Sequence, residues 1–183
     1  MHFPHHAVYH ETEEKHSAAM NALVAALARR NVPVHEGPAR TIHAHGFRAV
    51  KPLLEMLGSR NQQSRWDAAK ELSLIHDPDT ADALVALLTD HNPDVRWLAS
   101  DGLIAMGRRA LIPLLAGIED NADSVWMRDA AHRILRVFVD EGLDNRLGRL
   151  LNSLESGAQL FEVPVVAHTI LADLKREAVV EGK

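Results

Sequence analysis

Cysteine is absent from the 183 residues. Its absence excludes a disulfide framework, thiolate zinc sites and a cysteine nucleophile, and it fits a reducing compartment. Aromatic residues are scarce, at 4%. Sheets draw on aromatic and β-branched side chains, so this composition argues against an all-β fold. No apolar run approaches the roughly 18 residues that span a bilayer; the longest, as at Ala22–Ala28, are short and broken. The segment Met1-His2-Phe3-Pro4-His5-His6 has no basic region leading into an apolar run, so no signal peptide is expected. A cytoplasmic protein without a membrane segment is the expectation. A basic excess is missing too: 20 Lys and Arg stand against 25 Asp and Glu, for a net charge of −5. The densest basic group, Arg128, Arg133, Arg136, Arg146 and Arg149, is nearly cancelled by Asp129, Asp140, Glu141 and Asp144. Phosphate neutralisation supplies most nucleic-acid affinity, so that partner class is disfavoured. A Gly-rich phosphate loop, a serine elbow and a paired-carboxylate motif are also lacking, and no catalytic residue is assigned.

What is abundant is Ala and Leu, 50 of the 183 residues. Both are strong helix formers. The chain also repeats itself. Laid over a stretch 61 residues later, Leu23, Val24, Leu27, Asn31, Val34, Gly46 and Arg48 meet Leu84, Val85, Leu88, Asn92, Val95, Gly107 and Arg109. Pro52-Leu53-Leu54 meets Pro113-Leu114-Leu115 in the same overlay. A shift of 31 matches Leu53, Leu57, Asn61, Arg65 and Trp66 with Leu84, Leu88, Asn92, Arg96 and Trp97. The repeat is therefore about 31 residues long. A third copy, one residue longer, sets Asp129-Ala130-Ala131 against Asp67-Ala68-Ala69.

Each repeat holds two short helices. Val95, Leu98, Ala99, Leu103 and Met106 form one apolar stripe at helical period, closed by Gly107. Leu84-Val85-x-Leu87-Leu88 is the second kind, broken by Asn92-Pro93-Asp94, which caps the next helix. His76-Asp77 reads as a turn, with Asp77 or Asp79 capping the helix after it. The periodicity predicts helices over 12–30, 37–45, 49–58, 64–75, 80–89, 94–106, 108–119, 125–138, 143–155 and 161–178. Helices this short cannot stand alone in water and must stack. The expected fold is all-α: a solenoid of about ten helices over 17–183, preceded by a His-rich extension over 1–16.

The pattern Pro-Leu-Leu, an acid near the helix end, then Val-Arg, Ala and Leu-x-x-x-Gly resembles the HEAT repeat. It is carried by Leu84 through Trp97 and by Ala110-Leu111-Ile112-Pro113-Leu114-Leu115. The short repeat resembles the variety called PBS-lyase HEAT-like repeats. The resemblance spans roughly 20–155, loosens over 156–178 and leaves out the first 16 residues. It implies a curved solenoid whose inner helices line a concave groove. It also implies a ladder of acids and bases between repeats, matched here by Asp90 and Asp120 and by Arg65 and Arg96. The first repeat departs from the ladder, with Arg29 and His35 in the matching places.

On that geometry the groove-facing positions are Lys51, Glu55, Asp82, Ala86, Ile112 and Ala116, a mixed surface suited to a peptide or helix of a protein partner. The expected function is an interaction module, an adaptor or regulatory subunit. The PBS-lyase resemblance implies bilin handling or lyase activity as the alternative. HEAT-like solenoids also occur in DNA glycosylases, which the acidic balance disfavours. Arg65-Trp66 and Arg96-Trp97 fall at equal places in successive repeats. Each tryptophan either covers the joint with its neighbour or contributes to a recognition platform.

Histidine is plentiful, with 12 residues. His6, His10 and Glu14 recur at helical spacing and are the weak metal candidates; the plainer reading is a solvated chain end. His43 and His45 lie two apart, off a common helix face, and read as core histidines. His35-Glu36 matches the dipeptide of deoxyhypusine hydroxylase, a di-iron HEAT-repeat enzyme, but occurs once, too few ligands for two metals. No cofactor is expected; bilin or a divalent metal are the remote alternatives.

Overall fold

The structure, a computed structural model, describes residues 50–155 and 162–181. Two compact units divide the chain, one ending at Ile75 and one beginning at His76. In the first unit α1 (Val50–Leu57) packs against α2 (Gln62–Ile75). The second holds α3 (Ala81–Leu87), α4 (Pro93–Met106), α5 (Leu111–Asp120), α6 (Val125–Asp140), α7 (Leu147–Glu155) and α8 (Glu162–Glu181). Single 3-10 turns at Pro78–Thr80 and Gly107–Ala110 lead into α3 and α5. Asp77 caps the first of these turns, its side chain accepting the N–H of Asp79. The described residues are helical without strands and contain eight of the about ten α-helices expected. The other two, at 12–30 and 37–45, lie outside the described residues, as do Arg29, His35, Glu36, His43, His45 and the extension 1–16 with His6, His10 and Glu14.

Helices α2, α4 and α6 begin in the same way. Asn61 Oδ1 accepts the N–H of Gln63 at 2.8 Å, Asn92 Oδ1 that of Asp94 at 2.9 Å, and Ser124 Oγ that of Met127 at 3.3 Å. These caps satisfy N–H groups that have no partner inside the helix. Counted from them, Ala68, Ala99 and Ala131 are equivalent and fully buried, and so are Leu72, Leu103 and Leu135. The third copy is thus set one residue further along than the Asp67/Asp129 overlay places it. The caps, not the best string match, fix which face of the helix turns inward.

In the second unit α3 packs on α4, α5 packs on α6, α3 lies against α5, and α4 lies against α6. Two layers result: α3 and α5 in one, α4 and α6 in the other. The last pair enters in reverse order. Helix α7 follows α6 in its own layer, while α8 crosses back and packs along α5. The turn after α6 makes this reversal. Gly142 adopts φ +68°, and the Leu143 N–H returns to the Phe138 carbonyl at 2.9 Å, a left-handed helix end. Arg146 then holds Asp144 through Nε and Nη2 at 2.8 and 2.6 Å, and Glu177 of α8 through Nη1 and Nη2 at 2.7 and 3.0 Å. The guanidinium lowers both carboxyl pKa values, and they raise its own. His132 to Glu155 (3.1 Å) and His168 to Glu119 (2.9 Å) join the last pair to α6 and α5.

Because α5 is flanked by α3, α6 and α8, its sequence Leu-Ile-Pro-Leu-Leu-Ala-Gly-Ile is nearly all apolar. Pro113 sits in its first turn, where no intrahelical N–H bond is lost. Gly117 is where α5 meets α3. A Cβ there would stand far inside van der Waals contact with Val85 Cγ1.

Gly117→Ala is therefore expected to destabilise the protein by about 1–3 kcal/mol in urea unfolding, the range for overpacking a filled core. Val85→Ala in the same chain should recover part of that loss. A second expectation concerns Glu71 of α2. It is buried, its Oε2 has no hydrogen-bond partner, and desolvation raises its pKa above the ordinary 4.5, with Lys70 opposing and Asp67 adding. A raised native pKa means the native state binds the proton more tightly. The stability it contributes is full below 4.5 and lost as pH rises through the raised value. Glu71→Gln should thus gain stability at neutral pH, by about 1–3 kcal/mol, and the gain should vanish in acid; melting curves across pH measure this.

Candidate partner-binding face

The groove positions expected from sequence divide between the units. Lys51 and Glu55 are exposed on α1 of the first. In the second, Asp82 and Ala86 are exposed one turn apart on α3, and Ile112 and Ala116 are spaced alike on α5. Ala116 is half-buried. Ile112 does not stand alone: with Arg108, Leu111, Leu174, Glu177 and Ala178 it lines a pocket of about 120 Å³ between α5 and α8. The reversed last helix therefore partly occupies one side of this layer.

The paired arginines act on the backbone. Arg65 Nη1 donates to the carbonyls of Ser59 and Arg60 at 2.9 and 3.4 Å. Arg96 Nη1 donates to those of Asp90 and His91 at 2.7 and 3.3 Å. Arg128 Nη1 reaches the Ala122 carbonyl at 3.4 Å. The same guanidinium, in the first turn of each new helix, reaches back five to six residues to carbonyls of the loop before it, which lack helical partners. In the matched acid–base pair of this repeat, Arg96 meets the main chain of Asp90, while the Asp90 carboxylate accepts the Asn92 N–H at 2.8 Å.

Trp66 is half-buried on α2, with Lys70 Nζ 5.1 Å from its ring centroid. Trp97, on α4, is 58% exposed. The Arg133 guanidinium of α6 lies 3.6 Å from the Trp97 ring centroid and also pairs through Nη2 with Asp101. Arg133 Nη1 is buried without a hydrogen-bond partner, in a guanidinium that lies over the indole ring. Trp126 is 37% exposed at the start of α6, with Arg96 stacked 4.9 Å from its centroid and His91 edge-on at 5.3 Å. The second unit thus gathers two exposed indoles, each carrying a cation from the neighbouring helix, on the outer face of α4 and α6.

The sequence overlay does not single out Arg133, because it runs one residue short in the third copy, and Trp126 lies off the Trp66/Trp97 column in either register. In the cap register, Asp101 and Arg133 hold equal places in successive repeats. Opposite charges at equal places on adjacent helices are the signal of an ion pair. Among the described residues no group of three His, Asp or Glu side chains is arranged to hold a metal ion, and no helix is long and apolar enough to cross a membrane.

Residues 50–135 match a family model described as HEAT repeats. No curated protein matches the chain. The family match covers α1 through most of α6, including both tryptophan–arginine stacks.

Arg96→Ala removes a charged donor from two carbonyls and a cation from Trp126. It should cost about 1.5–3 kcal/mol in chemical unfolding, and Arg96→Lys should recover only part, since a single ammonium does not reproduce the planar fork.

Proposed function

We propose that this chain is a protein–protein interaction module, acting as an adaptor or regulatory subunit. HEAT repeats commonly mediate such interactions, and residues 50–135 match them. The observation that carries the reading is Trp97, an indole 58% exposed on a helix whose other face is packed. Exposed tryptophan held rigidly between neighbours is the residue type that dominates binding energy at interfaces. The mixed small and charged positions Asp82, Ala86 and Ala116 offer a second contact surface on the opposite layer. A cytoplasmic setting belongs to this reading. The finer resemblance to PBS-lyase repeats and their bilin chemistry gains less support. The pocket beside Ile112, at about 120 Å³, is smaller than the roughly 300–1,000 Å³ of small-molecule sites.

Capture from a lysate of the source organism tests the reading. A protein retained stoichiometrically by the unaltered chain should be lost with Trp97→Ala or with Asp82→Arg combined with Ala86→Arg. Loss of roughly 2 kcal/mol of affinity, the hot-spot scale, is expected for whichever face is used. Retention identical for both variants and the parent would sink it.

A further inference from the structure

We propose that the outer face of α4 and α6 binds a basic segment of its protein partner, with an arginine side chain seated on the open face of Trp97. This rests on the interaction module proposed for the chain and names the partner's chemistry.

Trp97 stays 58% exposed although Arg133 covers one side of its ring. An indole is a π surface on both faces, and a cation is the group it attracts most strongly. The residues around it select the sign. Asp94 stands three residues before Trp97 and Asp101 four after it, so both share its helix face. On α6, Asp129 stands four residues before Arg133. All three carboxylates are exposed, against two cations on α6: Arg133, paired with Asp101, and the exposed Arg136 three residues on. The guanidinium groups of Arg96 and Arg128 are turned back onto loop carbonyls. An anionic segment arriving here meets like charge. A cationic one meets an open ring and a surplus of carboxylate, and the chain's net charge of −5 favours its approach.

Arg133 shows the chemistry within the chain: a guanidinium over the indole ring, with Asp101 as its counter-ion. A second guanidinium on the free face has Asp94 on the same helix stripe to balance it. Trp126 is the lesser candidate. It is 37% exposed, and Arg96 and His91 already flank it.

The test uses a fluorescently labelled hexa-arginine peptide, a hexa-glutamate peptide and the full chain, read by anisotropy. Hexa-arginine should bind saturably and weaken with salt. Trp97→Ala should weaken it about ten-fold, Trp97→Phe less, and Asp94→Asn with Asp129→Asn several-fold, whereas Glu162→Gln on α8 should leave it unchanged. Melting temperatures identify any variant that fails to fold; Trp97→Phe and the aspartate pair then carry the test. Equal affinity for Trp97→Ala and the parent, equal losses for Glu162→Gln and Asp94→Asn, or tighter binding of hexa-glutamate would each overturn the inference. If hexa-arginine fails while a captured protein is still lost with Trp97→Ala, the interaction module stands and the basic segment falls.

Discussion

The loop clasp that opens α2, α4 and α6 sets the rest of the fold. An Asn or Ser side chain caps the new helix, and an arginine one turn later ties back to a carbonyl of the loop before it. A helix of 14 residues has many rotations available to it, and pairing by apolar area alone distinguishes them poorly. The clasp removes that freedom by fixing where the helix begins. Once it is fixed, Ala68, Ala99 and Ala131 face inward and are fully buried, and Leu72, Leu103 and Leu135 follow a turn later. The outward face is fixed by the same step. Trp97 and Asp101 point out because Ala99 and Leu103 point in.

Most of the helices can be read from local chemistry. Period and punctuation place α1 through α6 within a few residues, because Asn92-Pro93, Gly107 and Asn61 are strong stop and start signals that need no tertiary partner. The start of α7 cannot be placed so closely. The pattern suggests 143, yet the helix begins at Leu147, since Gly142 at positive φ and the Asp144–Arg146 turn occupy the gap. The reversal of the last pair is likewise invisible to periodicity. It rests on α8 packing along α5, and the Arg146–Glu177 pair that joins the ends links two residues 31 apart whose relation no helical wheel displays.

The site is half legible for the same reason. Trp97 and Arg96 stand out by their recurrence, which marks them as a pair worth weighing. Their cross-helix partners do not stand out, because a register error of one residue rotates a helix by about 100° and moves Arg133 off the face it shares with Asp101. By resemblance Arg65 and Arg96 are rungs between repeats. The structure shows them bonding to the main chain of their own loops, each to a carbonyl six residues before it. Repeat geometry makes Ile112 groove-facing, and α8 lines a pocket beside it.

A two-layer stack of short helices has little interior left over once Ala and Leu columns fill it. Gly117 against Val85 shows how closely the layers approach. The outer faces of α4 and α6 are held in place by repeated caps. On α4 and α6 those faces carry an exposed indole with a cation against it, bordered by Asp101, which Arg133 pairs, and by Asp94 and Asp129, while Arg96 and Arg128 are committed to loop carbonyls. The clasp that builds the fold thus also determines the charge its face presents: arginine spent on the backbone is arginine withdrawn from the surface.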